Sequence, residues 1–297
     1  DLNAACLEVA AEDPLGAYAV EFIKNEYTRI LSSYEAHIDI SYRRAPEQIR
    51  SLVNVTGTTA IRQEMGDALT DFVPELALRV GYFTGNERSI ADLIRQAYYD
   101  PPAAALGMPE FTVALYPDQG SQRVVEIILT YPQEPEALRR KSAELLEAAE
   151  AALIPLRDQQ FSQRRRTEQL LELLPEVIRW NGSPHEDGSP RNTAWDALVG
   201  EGANQEGLAL AFRLLCDQLN LECAVIQGSW NGAPHFWNTL ILNGEAWFVD
   251  LTLEDYAHLR TGEELALLGY DWSGRPEVSP ASGGGVGEIA RNLKNNT

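Results

Sequence analysis

Along the first half of the chain the spacing of apolar positions switches between two periods. Residues 17–33 (AYAVEFIKNEYTRILSS) place Ala19, Phe22, Ile23, Tyr27 and Ile30 on one side of a helix, and the spacing predicts a helix there. His37–Tyr42 alternates with a period of two, as a half-buried strand does. A helix opened by Pro46 follows, then a second alternating stretch from Leu76 to Phe83. Ser89, with its capping-box-like Ser-Ile-Ala-Asp start, opens a helix that runs to the Asp100-Pro101-Pro102 break. Phe111–Tyr116 and Arg123–Tyr131 flank Pro117-Asp118-Gln119-Gly120 and read as a hairpin, and a charged helix runs from Glu134 to the break at Pro155.

The second half is patterned differently. Glu206–Leu219 is apolar almost all round, with Arg213 the only charge between Glu206 and Asp217, so a helix there is buried on most sides. Glu222–Gln227 reads as a strand and Gly228–Pro234 as a loop. His235–Leu242 and Glu245–Thr252 are β-patterned segments joined by Asn243-Gly244, a strong hairpin signal. A two-residue turn sets Leu242 opposite Glu245, and therefore Trp237 opposite Asp250 and His235 opposite Thr252. Asp250 then lies diagonal to His235 on one face, about 7 Å away between Cβ atoms, within reach of an imidazole–carboxylate hydrogen bond. Such a pair orients a catalytic imidazole or simply holds two strands together; spacing alone leaves both readings open. A domain boundary falls near 154, giving an N-terminal α+β domain over 1–153 and a second domain over 154–297. Ser282-Gly283-Gly284-Gly285 reads as linker.

Composition narrows the function classes. The chain has 297 residues, 44% hydrophobic and 8% aromatic, enough for a packed core. Lys plus Arg number 24 against 44 Asp plus Glu, a net charge of −20, spread as −11 over 1–153 and −9 over 154–297. So acidic a chain repels phosphate backbones and anionic lipid, which argues against a nucleic-acid partner. No run reaches the roughly 18 apolar residues of a membrane-spanning helix. The chain opens at Asp1 without Met, which suits a trimmed, exported form. Cys6, Cys216 and Cys223 lack CxxC spacing. Cys216 and Cys223 are read as two free buried thiols, with a disulfide between them left open. His37, His185, His235 and His258 stand singly without zinc-site spacing, so neither metal nor cofactor is expected. Arg164-Arg165-Arg166 beside Glu168 and Glu172 reads as a solvated, ion-paired helix face.

Three blocks carry a resemblance. Gly202-Ala203-Asn204-Gln205-Glu206-Gly207-Leu208-Ala209 leads the buried helix, His235-Phe236-Trp237-Asn238 opens one strand, and Trp247-Phe248-Val249-Asp250-Leu251-Thr252 forms the next; Thr193–Leu198 is a fitting lead-in. Together they are similar to the core of the bacterial transglutaminase-like superfamily, a branch of the papain-like cysteine-enzyme fold, whose pattern is roughly G-x-C-x-G-Y-A, H-A-W-N and W-Y-x-V-D-x-T-W. Tyr99–Pro102 and Ala114–Gly120 also resemble the leader domain of some exported members. The resemblance implies an α+β protein in which a central helix packs on an antiparallel sheet, preceded by a smaller mixed α/β domain. Of the family's Cys-His-Asp triad, His235 would be the histidine and Asp250 the acid, with Trp195, Trp230, Trp237 and Asn238 lining a binding cleft.

The family's Cys falls at Gln205. A cysteine there works because helix dipole and imidazole lower its thiol pKa, and an amide has no comparable proton to lose. Cys216 lies eleven positions further along the same helix, roughly 16 Å away. Ser229 lacks a nucleophile-elbow context. Leu208 and Leu253 also stand where the family has Tyr and often Trp. The expectation is a catalytically inactive pseudoenzyme whose Gln205 amide faces the imidazole. It would have a binding or scaffold role as a secreted protein or lipoprotein at the bacterial cell surface, with a protein, peptide or cell-wall fragment as ligand; a cytoplasmic setting stays open. The alternative is an active cysteine-peptidase- or transglutaminase-type acyl transferase or amidase with another nucleophile.

Overall fold

The computed structural model describes residues 2–157 and 160–272; the Ser282–Gly285 stretch lies outside them. Contacts group the chain into two units, Asp1–Ala68 with Val73–Ala97 and Pro109–Tyr131, and Leu69–Phe72 with Tyr98–Met108 and the chain from Pro132 onward.

The first unit starts with helices α1 (Leu2–Ala11) and α2 (Pro14–Ala19). The carboxylate of Asp13 accepts from the Gly16 amide at 2.8 Å, and Pro14 supplies a first helical position that needs no donor. The helix expected over 17–33 stops at Ala19. Residues 20–30 are instead strand β1 (Val20–Ile30), paired antiparallel with β2 (Ser33–Tyr42) from Val20↔Tyr42 to Ile30↔Ser33. Val20, Phe22, Ile23, Tyr27, Thr28 and Ile30 are strand formers, and the cross-strand partner at 33–42 outweighs a helical spacing read from one segment alone.

Helix α3 (Pro46–Arg50), strand β3 (Val53–Thr56) and helix α4 (Gly57–Thr70) follow. Strand β4 (Glu75–Gly81), helix α5 (Glu87–Ala97) and the hairpin β5 (Glu110–Tyr116) with β6 (Gln122–Thr130) complete the unit. The sheet order is β3-β4-β6-β5, with β3 and β4 parallel and the other pairs antiparallel. Helix α5 begins before Ser89, because the Asn86 side chain accepts from the Ser89 amide at 3.0 Å.

The second unit opens with α6 (Pro135–Ala152), a single turn at Ile154–Leu156 and α7 (Gln163–Val177). Helix α6 thus groups with the second unit, whereas the sequence boundary sat at 153/154. Arg164 and Arg165 pair with Glu168, as read from sequence, but Arg166 donates to the Leu219 carbonyl at 2.8 Å. Helices α8 (Ala194–Leu198) and α9 (Gln205–Gln218) lead to strands β7 (Glu222–Trp230), β8 (Ala233–Leu242) and β9 (Glu245–Val249). Helix α10 (Gly262–Leu267) precedes β10 (Tyr270–Asp271). The sheet order is β10-β7-β8-β9, antiparallel throughout.

Mixed helices and sheets of this kind make an α+β protein. Helix α9 packs on β7 and β8, and every residue from Gly207 to Cys216 is buried. Each fully buried Leu or Phe there is worth about 1.5–3 kcal/mol, so α9 is held by its packing more than by its propensity. The segment expected as a loop, 228–234, is instead the end of β7 and the start of β8, joined by Asn231-Gly232 with φ of 51° and 81°. That is the same two-residue left-handed turn as Asn243-Gly244, at 56° and 85°.

Candidate functional site

Three segments of the second unit converge: the start of α9, the start of β8 and the end of β9. Asn204 caps α9, its side-chain oxygen accepting from the amides of Glu206 at 3.0 Å and Gly207 at 3.2 Å. A Cβ on Gly207 would stand 2.5 Å from Ala203 Cβ and 2.7 Å from the Thr193 carbonyl oxygen, so the glycine lets the helix start press against the segment before α8. Thr193 and Asp196 close a capping box on α8.

Gln205 is the first residue of α9. Its side-chain amide donates to the carbonyl oxygen of Pro234 at 3.2 Å, immediately before His235. This bond brings the amide to the backbone immediately before the imidazole's own residue. Its neighbour Glu206 turns the other way and accepts from Tyr99 at 2.9 Å and Asn192 at 3.0 Å. Burial raises the Glu206 carboxyl above its ordinary value, and those two donors only partly offset it.

The hairpin register matches the arithmetic, running from Leu242↔Glu245 to Asn238↔Val249. Asp250 follows directly on β9, and its Oδ2 pairs with His235 Nε2 at 2.6 Å. Both residues are buried, at 5% and 2% exposure. Asp250 Oδ2 also accepts from the Tyr270 hydroxyl, while Oδ1 accepts from the Thr252 amide at 2.8 Å and hydroxyl at 2.7 Å. Burial alone would push Asp250 up; the hydrogen bonds from His235, Tyr270 and Thr252 outweigh it and hold the carboxyl below its ordinary value. The same arrangement drives the Tyr270 phenol upward, first by burial and then by its bond to the carboxylate.

A carboxylate bonded to Nε2 orients the imidazole and turns Nδ1 away from Asp250. The ring is walled by aromatics: Trp230 at 5.4 Å, Tyr270 at 5.8 Å and Trp237 at 6.1 Å between centroids. Trp230 is anchored by its indole N–H to the Leu268 carbonyl at 3.0 Å and stacks on Tyr270. Gly228, paired with His235, admits this packing, since a Cβ there would stand 2.4 Å from the Trp237 ring.

The proposed cleft residues separate. Trp230 is half-buried beside the imidazole. Trp237 is 1% exposed and belongs to a core cluster with Ile226, Phe248, Leu265 and Tyr270. Asn238 is fully buried, donating to the carbonyls of Ala209 at 2.9 Å and Ala224 at 3.4 Å, so it ties β8 to α9 and β7. Trp195 lies against α6, under the Lys141 ammonium at 4.1 Å and donating to Glu144 at 3.0 Å. Thr252 and Tyr270 were not singled out in the sequence. Thr252 was legible, being placed opposite His235 by the register, whereas Tyr270 reaches Asp250 through a two-residue strand that no pattern marks.

Cys6, Cys216 and Cys223 are all free and buried. Cys216 hydrogen-bonds Cys223, and burial drives its thiol far up from its ordinary value, the opposite of an activated nucleophile. Ser229 lies within β7, paired with Pro234 and Asp271. Among the described residues no group of three His, Cys, Asp or Glu is arranged to hold a metal ion, and no helix is long and apolar enough to cross a membrane.

No protein-family model matches the chain, and no curated protein sequence is similar to it. Among solved structures, one described as the crystal structure of a TGase is similar to this chain at 12% identity, over 66% of this chain and 57% of its own length. The TM-score of that superposition is 0.31.

Proposed function

We propose that this chain is a transglutaminase-like protein without thiol chemistry, keeping the orienting half of a catalytic triad as a rigid part of a binding site. The carrying observation is the state of three positions together. His235 and Asp250 are buried and hydrogen-bonded, the carboxylate is met by four donors, and Gln205 spends its amide on the Pro234 carbonyl. An imidazole with an oriented carboxylate is a competent base, but a base without a nucleophile transfers no acyl group. The proposed role is binding or scaffolding at a bacterial cell surface, with a peptide or cell-wall fragment as ligand beside Trp230.

Two measurements separate this reading from that of an enzyme with another nucleophile. Purified protein should show neither transamidation nor hydrolysis of peptide and amide substrates above blank. Turnover that survives Gln205→Ala and disappears in His235→Ala would replace the proposal with an active acyl transferase or amidase. Binding is tested by titrating peptides and muropeptides against tryptophan fluorescence, which Trp230→Ala should blunt.

A further inference from the structure

The β1–β2 ribbon is amphipathic in a way the rest of the first unit does not explain. In β2 the even positions, from Tyr34 through Ile38 and Ile40 to Tyr42, are apolar, while Ser33, Glu35, His37, Asp39 and Ser41 are polar. The register pairs Ile23 with Ile40, Asn25 with Ile38, Tyr27 with Ala36 and Arg29 with Tyr34, so one face gathers Ile23, Tyr27, Tyr34, Ile38, Ile40 and Tyr42. The opposite face carries Lys24, Glu26, Glu35, His37 and Asp39, with His37 3.4 Å from Asp39. The apolar face stands open to solvent: Tyr27 and Tyr34 are each 66% exposed, Tyr42 56% and Ile38 47%. The two tyrosines at its tip meet edge to face at 6.0 Å. Helix α1 contacts β1, and Ile23 and Asn25 are half-buried, but beyond them the apolar side of the ribbon is exposed among the described residues, and a contiguous apolar patch of this kind marks a contact surface.

We infer that this face is covered by the same face of a second copy, two ribbons stacking into a four-stranded sandwich about a two-fold axis. Charge selects the occupant. The chain carries −20, yet this face holds no carboxylate, and Arg29, its one charge, sits at the rim with its side chain on the Leu31 carbonyl. Two copies meeting here juxtapose no acidic groups, whereas the opposite face would bring together three carboxylates per copy against the single ammonium of Lys24 and the His37 ring. Pairing through the open strand edges would leave the apolar side wet, so face-to-face packing at the usual sheet spacing of about 10 Å is the arrangement that removes it from water. An isologous contact satisfies the demand with one surface. Area is adequate but not generous. Three tyrosines more than half exposed and the isoleucines beside them offer on the order of 500–600 Å² per copy, so the pair buries roughly 1,100 Å², the low end for a specific interface.

The test is the mass of the full chain by sedimentation and light scattering. A dimer dissociating in the micromolar range is expected, several-fold tighter at high than at low salt because added ions screen the acidic surfaces. Tyr34→Glu with Ile38→Glu should give a monomer, whereas Glu35→Lys with Asp39→Lys on the polar face should stay dimeric. Should the first variant misfold, Ala36→Cys serves instead, the native thiols being buried. Under mild oxidation it should form a disulfide-linked dimer faster than Glu35→Cys. A monomer at about 100 μM, far above the affinity expected of a specific contact, would overturn the inference, as would equal cross-linking from both faces. A monomer that binds zwitterionic vesicles would also overturn it and assign the face to lipid.

Discussion

Gln205 opens α9 and its side chain reaches the carbonyl just before His235, so a single substitution tests whether the two are aligned. Gln205→Cys shortens the side chain and releases the Pro234 carbonyl, at a cost on the order of 1 kcal/mol for the small void. The new thiol is expected to titrate below the free value of about 8.5, lowered by the α9 N-terminus and by His235. The measurement is the iodoacetamide labelling rate against pH, with and without His235→Ala. An apparent pKa near the free value and indifferent to His235 would mean that position 205 and the imidazole are not in register for thiol chemistry. Background is low, since burial keeps Cys216 protonated well above its ordinary range. At this scale the sequence was legible where contacts are local. The pairing of His235 with Asp250 follows from one turn and a period of two, whereas the Tyr270 hydroxyl on the same carboxylate comes from twenty residues away.

Among elements, α9 shows how burial and charge combine. Arg213, buried, lies 3.7 Å from both Asp217 and Asp100. Burial nevertheless pushes Asp217 up to about 6, Arg213 offsetting only part of the rise. The folded state therefore holds the Asp217 proton more tightly than the unfolded chain does. Its contribution to stability is full below about pH 4 and is lost as pH rises toward 6. Asp250 works in the opposite sense: lowered in the fold, it stabilises above its ordinary value and ceases to as pH falls below it. Asp217→Asn should therefore flatten the decline between pH 4 and 6, by on the order of 2 kcal/mol in urea-unfolding stability. Parallel pH profiles for variant and parent would remove Asp217 as the cause.

The elements also show which sequence signals compete. Asn243-Gly244 set a register that holds residue for residue, yet the equivalent Asn231-Gly232 was absorbed into a loop because glycine, serine and proline surround it. At 17–33, apolar residues spaced for a helix face also suit a strand, and only the distant partner at 33–42 decides.

At the scale of the whole molecule the charge dominates. A net −20 divided almost evenly along the chain repels itself in any compact state. Partly buried pairs such as Arg44 with Glu126 at 2.6 Å offset this only locally. Raising sodium chloride from about 20 to about 200 mM should therefore raise the melting temperature by a few degrees, as screening weakens long-range repulsion first. Scanning fluorimetry on the Tyr34→Glu, Ile38→Glu chain reads this with self-association removed. A melting temperature that falls with salt would show that attractive pairs outweigh the repulsion.

The two left-handed Asn-Gly turns on either side of β8 have a kinetic consequence. They make β7, β8 and β9 a meander whose pairings close over short loops, so it is expected to zip on the microsecond scale of hairpins, ahead of contacts of greater sequence separation. His235 and Asp250, fifteen residues apart, acquire their alignment within that early-forming unit. Position 205 arrives from a separate helix by a longer closure. A chain built in this order assembles its imidazole–carboxylate pair whatever residue occupies 205, so replacing the residue there leaves the folding route of the pair intact.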